Sequence, residues 1–211
     1  MKRIIALHGN PGSPLDWEEL SLVLNKNQYE LMVADSYGDE WLEWARTSAR
    51  PVILLGHSWG CYRILKNLKK LGDKVERAVL VNPYLVSERP ISGLAANVLK
   101  IPFVGEKIIQ SNHQKNVEKF FNEMIFPATG KEKPVYSSIR SRLSDWRVWA
   151  RAAEAKIAQQ ADPLSAADVC QTPIVALIGE EDRISTFSVQ DQALRLCPHV
   201  RRDRHPREGH G

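Results

Sequence analysis

Apolar residues in the first 84 positions fall into short unbroken runs separated by stretches of mixed polarity. Arg3–Leu7, Tyr29–Ala34, Val52–Leu55 and Val75–Asn82 read as strands. They are continuous rather than alternating, as strands buried on both faces are. Between them, Asp16–Leu24, Glu40–Ala49 and Cys61–Leu71 place apolar residues at helical spacing. Gly72 follows the last of these, where a helix C-terminus favours glycine. This alternation predicts a parallel sheet joined by right-handed crossovers.

The rhythm changes at Leu85. Up to Ser165 the pattern gives no strand, only helical periodicity at Leu94–Leu99, Val117–Phe126 and Ser144–Ala158. Pro90, Pro102, Pro127 and Pro134 punctuate it, and Phe103, Phe120, Phe121, Phe126, Trp146 and Trp149 make it rich in large apolar side chains. Alternation then resumes with a strand at Pro173–Ile178, a helix at Ser188–Leu196 and a charged strand at Val200–Arg204. The predicted class is α/β, with a parallel sheet. Residues 1–84 and 166–211 would form the core and 85–165 a helical insertion.

Composition narrows the setting. With 43% hydrophobic and 26% charged residues, the 211-residue chain reads as a soluble globular protein. No run approaches the roughly 18 apolar residues that a membrane span needs, and Met1–Leu7 is too short for a signal-peptide core. Cys61, Cys170 and Cys197 are an odd set without metal-ligand spacing, which suggests a reducing, cytoplasmic setting. The net charge is +4, and its one dense run is Arg201–Arg207. That run lacks interleaved aromatic residues and reads as a solvated strand edge rather than a nucleic-acid groove. The expected partner is a small-molecule substrate, with neither nucleic acid nor membrane.

Candidate chemistry centres on Gly56-His57-Ser58-Trp59-Gly60, between the strand at Val52–Leu55 and the helix at Cys61–Leu71. Strand, Gly-x-Ser-x-Gly, helix is the context of a nucleophile elbow, which exposes the serine hydroxyl at the carboxyl end of the sheet. The pentapeptide alone arises by chance in about one 200-residue chain in fifteen, so its partners decide. A serine hydroxyl needs a general base, and that base needs an orienting acid. His8 and His57 lie in tight turns, His113 in the insertion, and His199 and His205 beside or in the last strand. His210 follows that strand and is the candidate base. Asp182, in the loop after the strand ending at Ile178, is the candidate acid, with Glu180 and Glu181 as neighbouring rivals. The loop Asn82-Pro83-Tyr84 contains no carboxylate. An oxyanion would be held by the backbone N–H groups of Trp59 and Asn10, since Pro11 has none. Cys61, beside the serine, reads as a small packing residue, with a nucleophilic thiol as its alternative.

Together, His8-Gly9-Asn10-Pro11-Gly12, Gly56-His57-Ser58-Trp59-Gly60, Gly179-Glu180-Glu181-Asp182 and Gly209-His210 make the sequence resemble an α/β-hydrolase-fold protein. The resemblance spans the chain. It implies a mostly parallel sheet with helices on both faces, that residues of about 85 to 165 form a helical cap, and that no metal or cofactor is required. Ser58 stands where dehalogenases and epoxide hydrolases of this fold carry an aspartate. Relatives usually continue into a final helix, whereas this chain ends at Gly211. The leading expectation is a serine hydrolase acting on a carboxylic ester or related acyl compound. The alternatives are a carbon–carbon bond hydrolase, lyase or perhydrolase with the same triad, or a non-catalytic binding protein. Trp146, Trp149, Phe120 and Phe121 would line the pocket or pack the cap onto the core.

Overall fold

The computed structural model describes residues 1–87, 90–121, 134–165, 168, 171–179, 182, 186–195, 197 and 200–205. Six strands form one sheet: β1 (Lys2–Leu7), β2 (Tyr29–Ala34), β3 (Val52–His57), β4 (Val75–Val81), β5 (Ile174–Gly179) and β6 (Val200–His205). Their order is β2-β1-β3-β4-β5-β6, and every pairing is parallel. The expected α/β class and parallel sheet are therefore present. Ile5, Ala6, Leu7, Leu54, Ala78, Leu80 and Ala176 are completely shielded from solvent, which explains the unbroken apolar runs. The charged strand β6 lies at one edge of the sheet, as its arginines suggest.

Register aligns the functional end. Leu7 pairs with Ala34 and Gly56, His57 with Val81, and Gly179 with His205. The strands thus finish together, and the loops after them share the carboxyl edge. Chain direction across the sheet reverses between β1 and β3, the switch point where open α/β sheets leave a crevice.

The chain divides into two compact units, residues 1–88 with 163–211 and residues 89–162. The first holds the sheet and the helices α1 (Glu18–Val23), α2 (Glu40–Thr47), α3 (Trp59–Leu71) and α8 (Phe187–Leu194). Gly72 ends α3 at φ 53°, its N–H bonded to Leu68 O, as a glycine cap should. The second unit contains α4 (Gly93–Leu99), α5 (Val104–Phe120), α6 (Pro134–Leu143) and α7 (Trp146–Ala161), the last capped by the Asp145 side chain on Arg147 N.

Both crossings between the units are fastened within the first. Gln190 on α8 is buried, accepts from Leu85 N at 2.7 Å and Val86 N at 3.4 Å, and donates to Val86 O at 3.2 Å. On the return, Lys66 of α3 donates to Asp168 at 3.1 Å and to Pro163 O at 3.4 Å. Asp168 also accepts from the Ser165 N–H and hydroxyl at 2.8 and 3.0 Å.

Two helices differ from the sequence reading. The pattern predicts a helix only from Val117, yet α5 begins at Val104 and buries just Gly105 and Val117. A helix so exposed carries no apolar stripe for periodicity to detect. Pro134, read as a breaker, instead opens α6, where a proline's missing N–H costs nothing.

Candidate active site

A single residue makes the turn from β3 to α3. Ser58 has φ 52° and ψ −118°, a conformation L-residues avoid at a cost of about 1–3 kcal/mol. Its N–H donates to Val81 O at 3.0 Å, and its carbonyl accepts from Cys61 N and Tyr84 N, each at 3.1 Å. The strained turn is thus held by β4, by the loop after it and by the first turn of α3. Neither Gly56 nor Gly60 is in the left-handed region. They are needed because backbones meet there. A Cβ on Gly60 would lie 2.6 Å from Leu7 O and 2.8 Å from His8 O, and one on Gly56 would lie 2.9 Å from Cys61 N. The strain sits on the serine and the close approach on the glycines.

The loop after β1 lies directly against this elbow, since a Cβ on Gly9 would be 3.0 Å from Ser58 Cβ and 2.8 Å from His57 Nδ1. A second turn, Asp35-Ser36-Tyr37 after β2, grips that loop. His8 is wholly buried. Ser36 N donates to His8 Nε2 at 3.0 Å, which leaves the ring proton on Nδ1, 2.7 Å from Gly9 O. The Ser36 hydroxyl donates to His8 O at 2.9 Å. Asp35 Oδ1, 3.2 Å from His8 Nε2, becomes an ionic partner only if that nitrogen is protonated, at the expense of the Ser36 bond. Tyr37 Oη donates to Asn10 Oδ1 at 2.8 Å. Trp59 is the first residue of α3, and the first N–H groups of a helix have no partner within it.

Asp182 is half-buried, with its N–H 3.4 Å from Gly179 O. Its carboxylate reaches electrostatically to His57, the residue before the candidate nucleophile. Burial holds His57 below the ordinary histidine range, while the carboxylates of Asp16 and Asp182 oppose that shift and His8 adds to it. Asn82, at φ 42°, accepts from Gly179 N through Oδ1 at 2.8 Å, and its own N–H donates to Leu177 O at 2.8 Å. It ties the end of β5, from which Asp182 follows, to the end of β4. His210, Glu180 and Glu181 lie outside the described residues. Cys61 is fully buried, its thiol donates to Val81 O at 3.7 Å, and burial raises its pKa well above the usual thiol range. Such a cysteine is inert.

Of the four aromatic residues expected at the pocket, Phe120, Phe121 and Trp149 pack within the insertion itself. Phe121 is fully buried with Val117 and Leu143, and Phe120 and Trp149 pack against them. Phe120 meets both aromatic neighbours edge-on at 6.0 Å, and Trp149 Nε1 donates to Leu143 O at 2.7 Å. Trp146, half-buried, carries the Arg147 guanidinium 5.7 Å from its ring centre.

A family model described as "Alpha/beta hydrolase family" matches residues 4–211. The chain belongs to this family. Among solved structures it is similar to a thermophilic esterase from Thermogutta terrifontis (TM-score 0.72, 18% identity, covering 98% of this chain and 81% of that one). It is also similar to an esterase from Exiguobacterium antarcticum (TM-score 0.71, 15% identity, 98% and 84%) and a hydrolase from Oleispira antarctica (TM-score 0.66, 15% identity, 100% and 84%). At these identities the likeness shows the fold. No curated protein matches the chain. No described helix of this α/β hydrolase family member is long and apolar enough to cross a membrane.

The sequence reading did not single out Asp35, Ser36, Tyr37, Asn82 or Gln190. A signal was available for the first four, since Asp35, Ser36 and Tyr37 follow a predicted strand and Asn82 ends one, at the edge where such sheets place their chemistry. Gln190 had none, because its partners are backbone groups far away in sequence.

Proposed function

We propose that the protein is a serine hydrolase cleaving a carboxylic ester or related acyl compound. The observation that carries this reading is the strained backbone of Ser58 at the tip of β3, with the His8–Asn10 loop packed against it. Ser58 Oγ attacks the substrate carbonyl and gives its proton to His210. The resulting oxyanion accepts from the Asn10 and Trp59 N–H groups. His210 then protonates the leaving alcohol, and an acyl group remains on Ser58. Water, deprotonated by His210, attacks that ester and frees the acid and the serine. Asp182 fixes the imidazole tautomer and stabilises its cation. The half-buried Asp182 carboxylate, within electrostatic reach of the elbow, supports this assignment. Residues 89–162 serve as the cap, and of the four aromatic residues expected at the pocket Trp146, Trp149 and Phe120 keep some surface exposed. The steps need no cofactor, and the setting is cytoplasmic.

The test compares the wild type with Ser58→Ala on a short-chain aryl ester. Loss of a triad nucleophile lowers kcat by about 10⁴ or more. A fluorophosphonate should modify the wild type at Ser58 only. Hydrolysis by Ser58→Ala at the wild-type rate refutes the reading.

A further inference from the structure

We propose that Tyr37 is a positioning residue for both oxyanion donors, an inference that rests on the hydrolase reading above. Three contacts of this one side chain carry it. Its hydroxyl donates to Asn10 Oδ1 at 2.8 Å. Its ring meets the buried His8 edge-on, with centroids 5.3 Å apart and planes at 64°. The same ring lies over Trp59, 5.4 Å between centroids at 31°. Tyr37 therefore touches the residue supplying one proposed donor, the residue supplying the other, and the histidine that anchors the loop between β1 and Asn10. Its own backbone is fixed as well, because Tyr37 N donates to Asp35 Oδ1 at 3.1 Å and the preceding residue, Ser36, is bonded twice to His8.

The physical need is specific. Asn10 sits in a loop, where nothing in a helix or strand ladder fixes its N–H. Trp59 is held by α3. Two donors act together only if their separation and aim are set before the reaction, because preorganised dipoles stabilise the transition state without reorganising. A ring packed on Trp59 with a hydroxyl on the Asn10 side chain sets that separation. In this role Tyr37 acts through the residues it holds, Asn10 and Trp59.

The experiment uses Tyr37→Phe, which keeps the ring and deletes the hydroxyl, and Asn10→Ala, which deletes the acceptor but leaves the backbone N–H. Each should lower kcat for a short-chain aryl ester about 10- to 100-fold, the scale of a misplacement within 1 Å. KM should stay within about twofold, since the oxyanion forms only in the transition state. The double variant should be no worse than either single one, because both remove the same contact. A purely structural role would shift thermal stability while leaving the kcat-to-KM split and the non-additivity absent. Amide hydrogen exchange in Gly9–Gly12 gives a readout independent of turnover and should accelerate about fivefold or more in Tyr37→Phe. If the wild type hydrolyses the ester and Tyr37→Phe keeps its kcat, the positioning role is overturned. If the wild type shows no turnover, the hydrolase reading fails, and exchange alone decides whether Tyr37 orders the loop. Unchanged exchange then overturns the proposal.

Discussion

Gly60→Ala adds one methyl group where α3 crosses β1. The new Cβ would stand 2.6 Å from Leu7 O and 2.8 Å from His8 O, so the Leu7 carbonyl must retreat by about 0.4 Å to reach the shortest tolerable contact. Leu7 cannot easily do so, being fully buried and in register with both Ala34 and Gly56. Overpacking of this kind costs about 1–3 kcal/mol. The better helix propensity of alanine returns up to about 1 kcal/mol. A net loss of about 1–2 kcal/mol follows, which lowers the urea midpoint by roughly 0.5–1 M at a typical slope. Gly93→Ala is the control. Gly93 also lies in the first turn of a helix, has no left-handed φ, and a Cβ there would meet nothing within 4 Å. It should leave stability unchanged or raise it by a few tenths to about 1 kcal/mol. Urea unfolding followed by tryptophan fluorescence makes the comparison. If Gly60→Ala is as stable as Gly93→Ala, close backbone approach is not why glycine stands in the elbow.

Three further outcomes follow from the same geometry. Ser58→Gly should raise stability by about 1 kcal/mol by relieving the strained backbone, whereas Ser58→Ala should not; urea midpoints distinguish them. Asp168 lies below the ordinary carboxylate range because hydrogen bonds from Ser165 and Lys66 outweigh the burial that alone would raise it. Its contribution is full above the unfolded carboxylate pKa of about 4 and is lost as pH falls through the lower folded value. Asp168→Asn should therefore cost about 2 kcal/mol at pH 7 and flatten the acid limb of a stability–pH curve; an unchanged limb contradicts this. Cys61 should resist a thiol reagent in the native protein at pH 8 and react only on unfolding, and Cys61→Ala should keep ester hydrolysis.

The sheet was legible because its central strands carry unbroken apolar runs, Ile4–Leu7 in β1, Val52–Leu55 in β3 and Ala78–Val81 in β4, bounded by glycine or polar turns. The elbow was legible because steric demands force glycine at 56 and 60. Helix α5 was not, since a helix packed along little of its surface obeys no strict pattern. The grip of Asp35-Ser36-Tyr37 on His8-Gly9-Asn10 was hidden for another reason. Hydrogen bonds across 27 or 28 positions leave no local periodicity, and only the parallel pairing of β1 with β2 brings the two turns together.

Gln190 and Lys66 give the chain an architectural property beyond stability. Each grasps backbone next to a crossing, Leu85–Val86 on the way out and Pro163 on the way back, and both belong to the sheet-bearing unit. The moorings are independent of whatever sequence runs between them. Residues 89–162 thus form a cassette: another segment with compatible ends can be spliced between the two clasps while the elbow, its loop and the sheet keep their own scaffold.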